Sequence, residues 1–196
     1  VASGCTSSKP KVAIVPATDN GDALPTFEMM ENPDYKTWSL FPKGTIMRQR
    51  AITRSEKDAG ETVTITTFSL VERNDEHVTI TMKNRTVRYD GFRIDNPDQK
   101  VSIPRKVRLP GREKDEGNER PKPTVEERDE MIAIGGRVLK TRKSQFKDRN
   151  EAGEVQITTW TSDEVPAGLV RSVMRTPAVG KVTTIELIEL TIPKTD

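Results

Sequence analysis

The sequence predicts an all-β protein: a curved antiparallel sheet or open barrel of about eight strands, arranged as two related halves, with one short N-terminal helix. Three observations carry the prediction. Of 196 residues, 33% are hydrophobic, 5% aromatic and 32% charged, a supply that suits a thin core under a sheet with a wet face rather than a helix-covered α/β sheet. Runs rich in Thr, Val and Ile recur between segments of turn chemistry. Finally, GETVTITTFS at Gly60 to Ser69 has an echo in GEVQITTWTS at Gly153 to Ser162, as a duplicated β-unit would leave.

The chain starts at Val1 rather than Met, as expected for part of a longer precursor or reading frame. Ala2, Ser3, Gly4 and Cys5 resemble the lipobox of bacterial lipoproteins, in which small residues precede a cysteine that is lipidated and becomes the mature N-terminus. Ala2 stands where that pattern usually has Leu. The alternative is an ordinary free thiol. Lipidation is favoured because Thr6 to Asp22 is rich in Ser, Lys, Pro, Asn and Gly, the composition of a solvated tether. Cys5 is the only cysteine, so an intramolecular disulfide and a zinc site of several thiolates are both excluded. No apolar run approaches the roughly 20 residues of a spanning helix, so the membrane is expected as a partner through the anchor at Cys5.

Asn32 and Pro33 form a helix start signal, a capping residue followed by a proline suited to the first helical position. Tyr35, Trp38, Leu40 and Phe41 follow, expected as a plug packed on the end or face of a sheet. A binding or lid role for Tyr35, Trp38 and Phe41 is the less favoured reading. From Gly44 the texture turns to strands over Thr45 to Arg54, Glu61 to Arg73, His77 to Tyr89 and Lys100 to Leu109, which reads as an antiparallel meander. Val63 and Ile65 share one parity and Phe68 and Leu70 the other, as do Val78, Ile80 and Met82 against Val87 and Tyr89. Such phase changes imply a bulge or a bend, which suits a barrel or strongly curved sheet.

GREKDEGNERPKPTVEE, within residues 110–128, is nearly all charged or Pro/Gly and reads as a mobile surface loop between the halves. The second half resumes with strands over Glu130 to Ile134 and Arg137 to Lys147, joined by a tight turn at Gly135-Gly136. Pro166 and Gly168 place a turn after the echo. Leu169 to Arg175 fits a helical turn or a short strand, and the strand is favoured by the hairpin-like PAVGK and strand-like Val182 to Ile192 beyond it. Along the whole echo, Gly44 to Met82 aligns with Gly136 to Met174, setting Phe68 against Trp160. Shared β composition is the alternative explanation, and duplication is favoured over it. The resulting organisation is a lipobox remnant and tether over 1–26, a first β half with its helix over 27–109, the loop over 110–128 and a second β half over 129–196, with 27–196 as one domain.

Little of this points to chemistry. His77 is the only histidine, beside the Asn74-Asp75-Glu76 turn, so a multi-histidine metal site is excluded and a surface role is favoured. Nucleophile-elbow, phosphate-loop and dinucleotide fingerprints are all missing. Asp163 and Glu164 are the nearest candidates for paired-carboxylate hydrolysis, on a turn where solvated acids are expected anyway. Asp19-Asn20-Gly21-Asp22 has the composition of a calcium loop without its ligand spacing. A net charge of +2 implies no nucleic-acid partner. Basic residues recur on the strands, among them Arg48, Arg50, Arg54, Arg105, Lys106, Arg108, Arg137, Lys140 and Arg142, and protection of sheet edges is their favoured reading. No catalytic residue, metal ligand or cofactor is assigned.

NPDYKTWSLFPKGT near the start, TTWTSDEVPAGLVRS in the second half and the closing TTIELIEL resemble secreted β-rich lipoproteins of bacteria, in particular those of planctomycetes. The pattern is also distantly similar to periplasmic half-barrels that carry lipids or lipoproteins. These resemblances imply a lipid-anchored protein of the cell envelope, periplasmic or at the outer membrane, with a non-catalytic binding or structural role. An envelope protein or a hydrophobic small molecule is then the expected partner. In the alternative reading as a lipid carrier, Tyr35, Trp38, Phe41 and Trp160 would contact the ligand or form its lid.

Overall fold

The computed structural model describes residues 29–55, 60–108, 126–150 and 153–194. In chain order the elements are β1 (Met29–Glu31), α1 (Pro33–Ser39), β2 (Ile46–Ser55), β3 (Glu61–Arg73), β4 (His77–Val87), β5 (Arg93–Asp95), β6 (Gln99–Pro104), β7 (Lys106–Arg108), β8 (Glu126–Ile134), β9 (Arg137–Asn150), β10 (Gly153–Thr161), β11 (Leu169–Thr176) and β12 (Lys181–Thr191). Cys5, the tether, the Asp19 to Asp22 segment and nearly all of the inter-half loop lie outside the described residues.

The main sheet has ten strands in the order β5-β4-β3-β2-β12-β11-β10-β9-β8, with β6 also pairing β4. All its pairs are antiparallel, and it is an open sheet. β1 and β7 form a separate two-stranded sheet. The expected strand over Lys100 to Leu109 is therefore two strands. Pro104 ends β6, since proline cannot donate to a ladder, and the Arg105 carbonyl accepts from the Asn32 N–H at 2.7 Å as the chain moves to its new partner. β1 and β5, three residues each, fell below what Thr, Val and Ile patterning reveals. β8 begins at Glu126, earlier than the expected Glu130, so the second half reaches into the charged segment.

The two halves meet through their terminal long strands. β2 pairs β12 from Ser55 opposite Lys181 to Ile46 opposite Thr191, with a bulge at Ile188. Further irregularities fall at Val71 in β3 and at Val170 in β11; the parity change read in β3 between Ile65 and Phe68 lies within an unbroken register, so there the apolar side chains change faces without a bulge. β8 and β9 join through Gly135 and Gly136, both at positive φ (56° and 81°), the conformation that a tight two-residue hairpin demands.

Pairing limits the duplication. Each half contains a three-stranded meander, β2-β3-β4 and β9-β10-β11. Met47 lies opposite Phe68, but Trp160 lies opposite Lys143 rather than the aligned Leu139, a slip of four residues. Phe68 lies opposite Met82, but Trp160 lies opposite Arg171 rather than Met174, a slip of three. The strand order of the halves corresponds and their residue pairing does not.

The apolar core is concentrated at one end of the sheet. Tyr35, Trp38, Phe41, Met47, Leu70, Val78, Ile80, Leu139, Val165, Val170 and Leu187 form one buried cluster, with Phe68, Ile132, Ile134 and Trp160 packed against it. α1 covers the first-half part of this cluster. Asn32 caps the helix, its side chain accepting from the Asp34 N–H at 3.0 Å, and Pro33 opens it as expected. Leu40 corrects the expected plug: it is 67% exposed, at the helix C-cap and facing away from the sheet.

Candidate functional site

Tyr35, Trp38 and Phe41 are held inward by local chemistry. The Tyr35 hydroxyl donates to the Asn74 carbonyl at 2.9 Å, which satisfies the polar tip of an otherwise apolar side chain. Arg73 donates to the Ser39 and Phe41 carbonyls at 2.9 and 3.2 Å, satisfying the end of α1. Trp38 is 2% exposed and its ring meets Phe68 at 6.3 Å between centroids, tilted by 52°. These three residues are packed core among the described residues.

Trp160 has a different environment. Antiparallel register places Lys143 and Arg171 on either side of it, and both cations lie over its ring, at 5.3 and 5.2 Å from the centroid. Its indole N–H donates to Glu130 at 2.8 Å, and Lys143 donates to the same carboxylate at 3.2 Å. These two hydrogen bonds hold the Glu130 carboxyl below the usual carboxylate range. Trp160 thus lies in a cross-strand row running Lys143, Trp160, Arg171, Glu186, Arg50, Ile65, Arg85, Asp95.

This row belongs to a charged face. Arg48 pairs with Glu189 at 2.8 Å, Arg54 with Glu61 at 2.7 Å, Arg85 with Asp95 at 2.6 Å, and Arg50 with Glu186. The basic residues of β2 are therefore matched by carboxylates across the strands. Being largely exposed, such pairs contribute about 0–1 kcal/mol each.

Over β8 and β9 the opposite face is charged, with Arg142 beside Glu127 and Lys140 beside Asp129, whereas across the middle of β2, β3, β4 and β12 it is neutral. Strict alternation puts Gln49, Ala51 and Thr53 of β2 there, beside Thr66, Thr64 and Thr62 of β3, Asn84 and Thr86 of β4, and Ile185 and Thr183 of β12. Ser172, Thr159 and Ser144 continue the row through β11, β10 and β9. Thr53 bonds Thr183 at 3.1 Å and Thr64 bonds Thr86 at 3.0 Å. Every residue of β3 from Glu61 to Ser69 is half-buried, whichever face it occupies, so this part of the sheet is open on both sides.

The remaining candidates are placed as follows. His77 lies 3.6 Å from Glu72 at the β3–β4 turn. Glu164 is committed to the backbone, accepting from the Lys140 N–H at 3.2 Å. Asp163 lines an open depression of about 210 Å³ with Asp129, Lys140, Thr141, Arg142, Thr161 and Ser162. Among the described residues no three His, Cys, Asp or Glu side chains group as metal ligands would. The neutral face escaped sequence reading because it depends on register, although the Thr at alternate positions of TVTITT was its visible signal.

No protein family model matches this chain, and no curated protein matches it. Among solved structures, it is similar to a Bacteroides fragilis protein provisionally named as exported, with a YmcC-like fold: 8% identity over 77% of this chain and 97% of that one, TM-score 0.44. A Parabacteroides distasonis protein provisionally named a lipoprotein gives 11% identity, 78% and 98% coverage, and a TM-score of 0.42. A Vibrio parahaemolyticus domain provisionally named for outer membrane lipoprotein sorting gives 10% identity, 78% and 86% coverage, and a TM-score of 0.26. Overlaps this loose transfer no property to this chain.

Proposed function

We propose that this protein is a non-catalytic binding domain of the bacterial cell envelope, tethered by a lipid at Cys5, which receives its ligand on the neutral Thr-rich face. The lipobox-like VASGC and the tether composition after it support the address. The observation that carries the binding role is the segregation of the sheet over β2, β3, β4 and β12: there charges pair on one face, while hydroxyls and amides line the other and stay half-buried. Such a surface offers both donors and acceptors without charge, which fits a neutral, hydrogen-bonding ligand such as a glycan strand. Three of the chain's carboxylates are tuned away from a general-acid role. Asp95, Glu130 and Glu154 are all held below their ordinary values by hydrogen-bonding partners, whereas a general acid needs its value raised.

The test is chemical-shift mapping of the full chain with soluble glycan-strand fragments. Shifts should cluster at Gln49, Thr64, Thr66 and Asn84, and the T64V/T66V double variant should weaken binding about tenfold. Saturable binding that maps to the Arg48, Arg50 and Glu186 face would overturn the reading. A second reading, a carrier of a hydrophobic ligand, is favoured by one feature: Phe146, Ile157 and Met174 follow one another across strands on the same neutral face. It requires an apolar fluorescent probe to bind there and F146S to abolish the signal.

A further inference from the structure

The hairpin between β4 and β5 is built differently from the others. The Arg88 N–H donates to the Phe92 carbonyl at 2.9 Å, the Gly91 N–H to the Arg88 carbonyl at 2.9 Å, and the Phe92 N–H to the Asp90 side chain at 3.0 Å. This ordered turn displays apolar side chains instead of hiding them: Tyr89 is 65% exposed, Phe92 59%, Ile94 39% and Val87 38%. Two aromatics on one tip are a large outlay in a chain with only 5% aromatic residues.

The tip is also held in shape. A Cβ on Gly60 would collide with the Tyr89 Cβ and Cγ, so the absence of a side chain there lets the tyrosine lie against the neighbouring backbone. Arg88 sits over the Tyr89 ring at 5.9 Å. Arg85, Arg88 and Arg93 surround the hairpin with Asp90 and Asp95 among them, leaving an excess of one positive charge.

We propose that this tip inserts into the interfacial region of an anionic lipid bilayer. Strand parity puts Ile94, opposite Thr86, on one side of the hairpin and Val87, opposite Arg93, on the other, with Tyr89 and Phe92 in the turn beyond them. A protein partner would cover one side, whereas a tip apolar on both sides suits immersion in a continuous medium. Aromatic rings prefer the headgroup level, and arginines with long apolar stems reach phosphates from the same depth. The proposal is independent of acylation at Cys5 and of the ligand on the neutral face.

The test is co-sedimentation of the full, unacylated chain with vesicles of phosphatidylethanolamine and phosphatidylglycerol. The wild type should bind, and F92S, which removes a ring without touching Gly60, should weaken partitioning about tenfold. Y89S/F92S should weaken it further, and R88Q/R93Q should lose the dependence on phosphatidylglycerol content while keeping wild-type melting. Absence of wild-type binding, or binding unchanged in Y89S/F92S, overturns the proposal. Capture of a protein by this tip without vesicle binding overturns it as well.

Discussion

Ala167 holds a φ of 59°, the only positive value at a non-glycine position among the described residues. It sits in a turn closed by the Ser162 N–H on the Gly168 carbonyl at 2.8 Å and the Gly168 N–H on the Val165 carbonyl at 2.9 Å. The same turn buries Val165 and presents Glu164 to the Lys140 N–H. An alanine in this region costs about 1–2 kcal/mol, and glycine returns that strain less its own larger entropy loss of about 0.5–1 kcal/mol. A167G should therefore raise stability by about 0.5–1 kcal/mol in urea unfolding, and an unchanged midpoint would mean that neighbouring contacts already relieve the strain. Glu130 supports a second prediction. Its folded pKa is lowered, chiefly by the Trp160 indole and then by Lys143, so its contribution to stability is present above its unfolded value and is lost as pH falls through the folded value. E130Q should lose stability at neutral pH and show a flatter acid limb than the wild type. W160F should move the Glu130 titration, followed by NMR, upward. Sequence reading set Trp160 against Phe68, but none of its partners was visible, because Lys143, Arg171 and Glu130 reach it only through register.

At the scale of elements, legibility follows chemistry that acts locally. Asn32 and Pro33 announced α1, and Gly135-Gly136 announced the β8–β9 turn, because capping and positive φ are decided within a few residues. β3 was read with its observed bounds because Thr and Val alternate along it. β1 and β5 escaped because a strand of three residues has no period to detect, and for the same reason β7 was read as one strand with β6. The slips of four and three residues were equally hidden: composition repeats survive a change of partner, whereas pairing does not. The helix offers the direct measurement. N32A removes the acceptor for the Asp34 N–H and should cost about 1 kcal/mol, while N32D should retain most of the stability. If N32A melts with the wild type, α1 is held by Tyr35, Trp38 and Arg73 alone.

At the scale of the molecule, everything depends on the β2–β12 seam. Arg50 and Glu186 meet across 136 residues of sequence, and Arg48 and Glu189 across 141. Closing so long a loop is entropically expensive, so the seam forms only when both meanders can contribute their apolar faces. Leu187 of β12 and Met47 of β2 enter the same buried cluster as Trp38 and Leu139, so neither half owns a core of its own. The expectation is a single cooperative unit. The two tryptophans are probes of it, Trp38 reporting on the first half and Trp160 on the second. W160F and W38F each leave one reporter, and each should give a fluorescence transition in urea that coincides with the loss of β-sheet circular dichroism in the same variant. A Trp160 transition that precedes the circular-dichroism change would instead show β8 to β11 opening first, hinged at β12. In that case the neutral row, which runs unbroken from Thr86 to Ser144, would be divided before the fold is lost, and ligand binding on it should shift both transitions together.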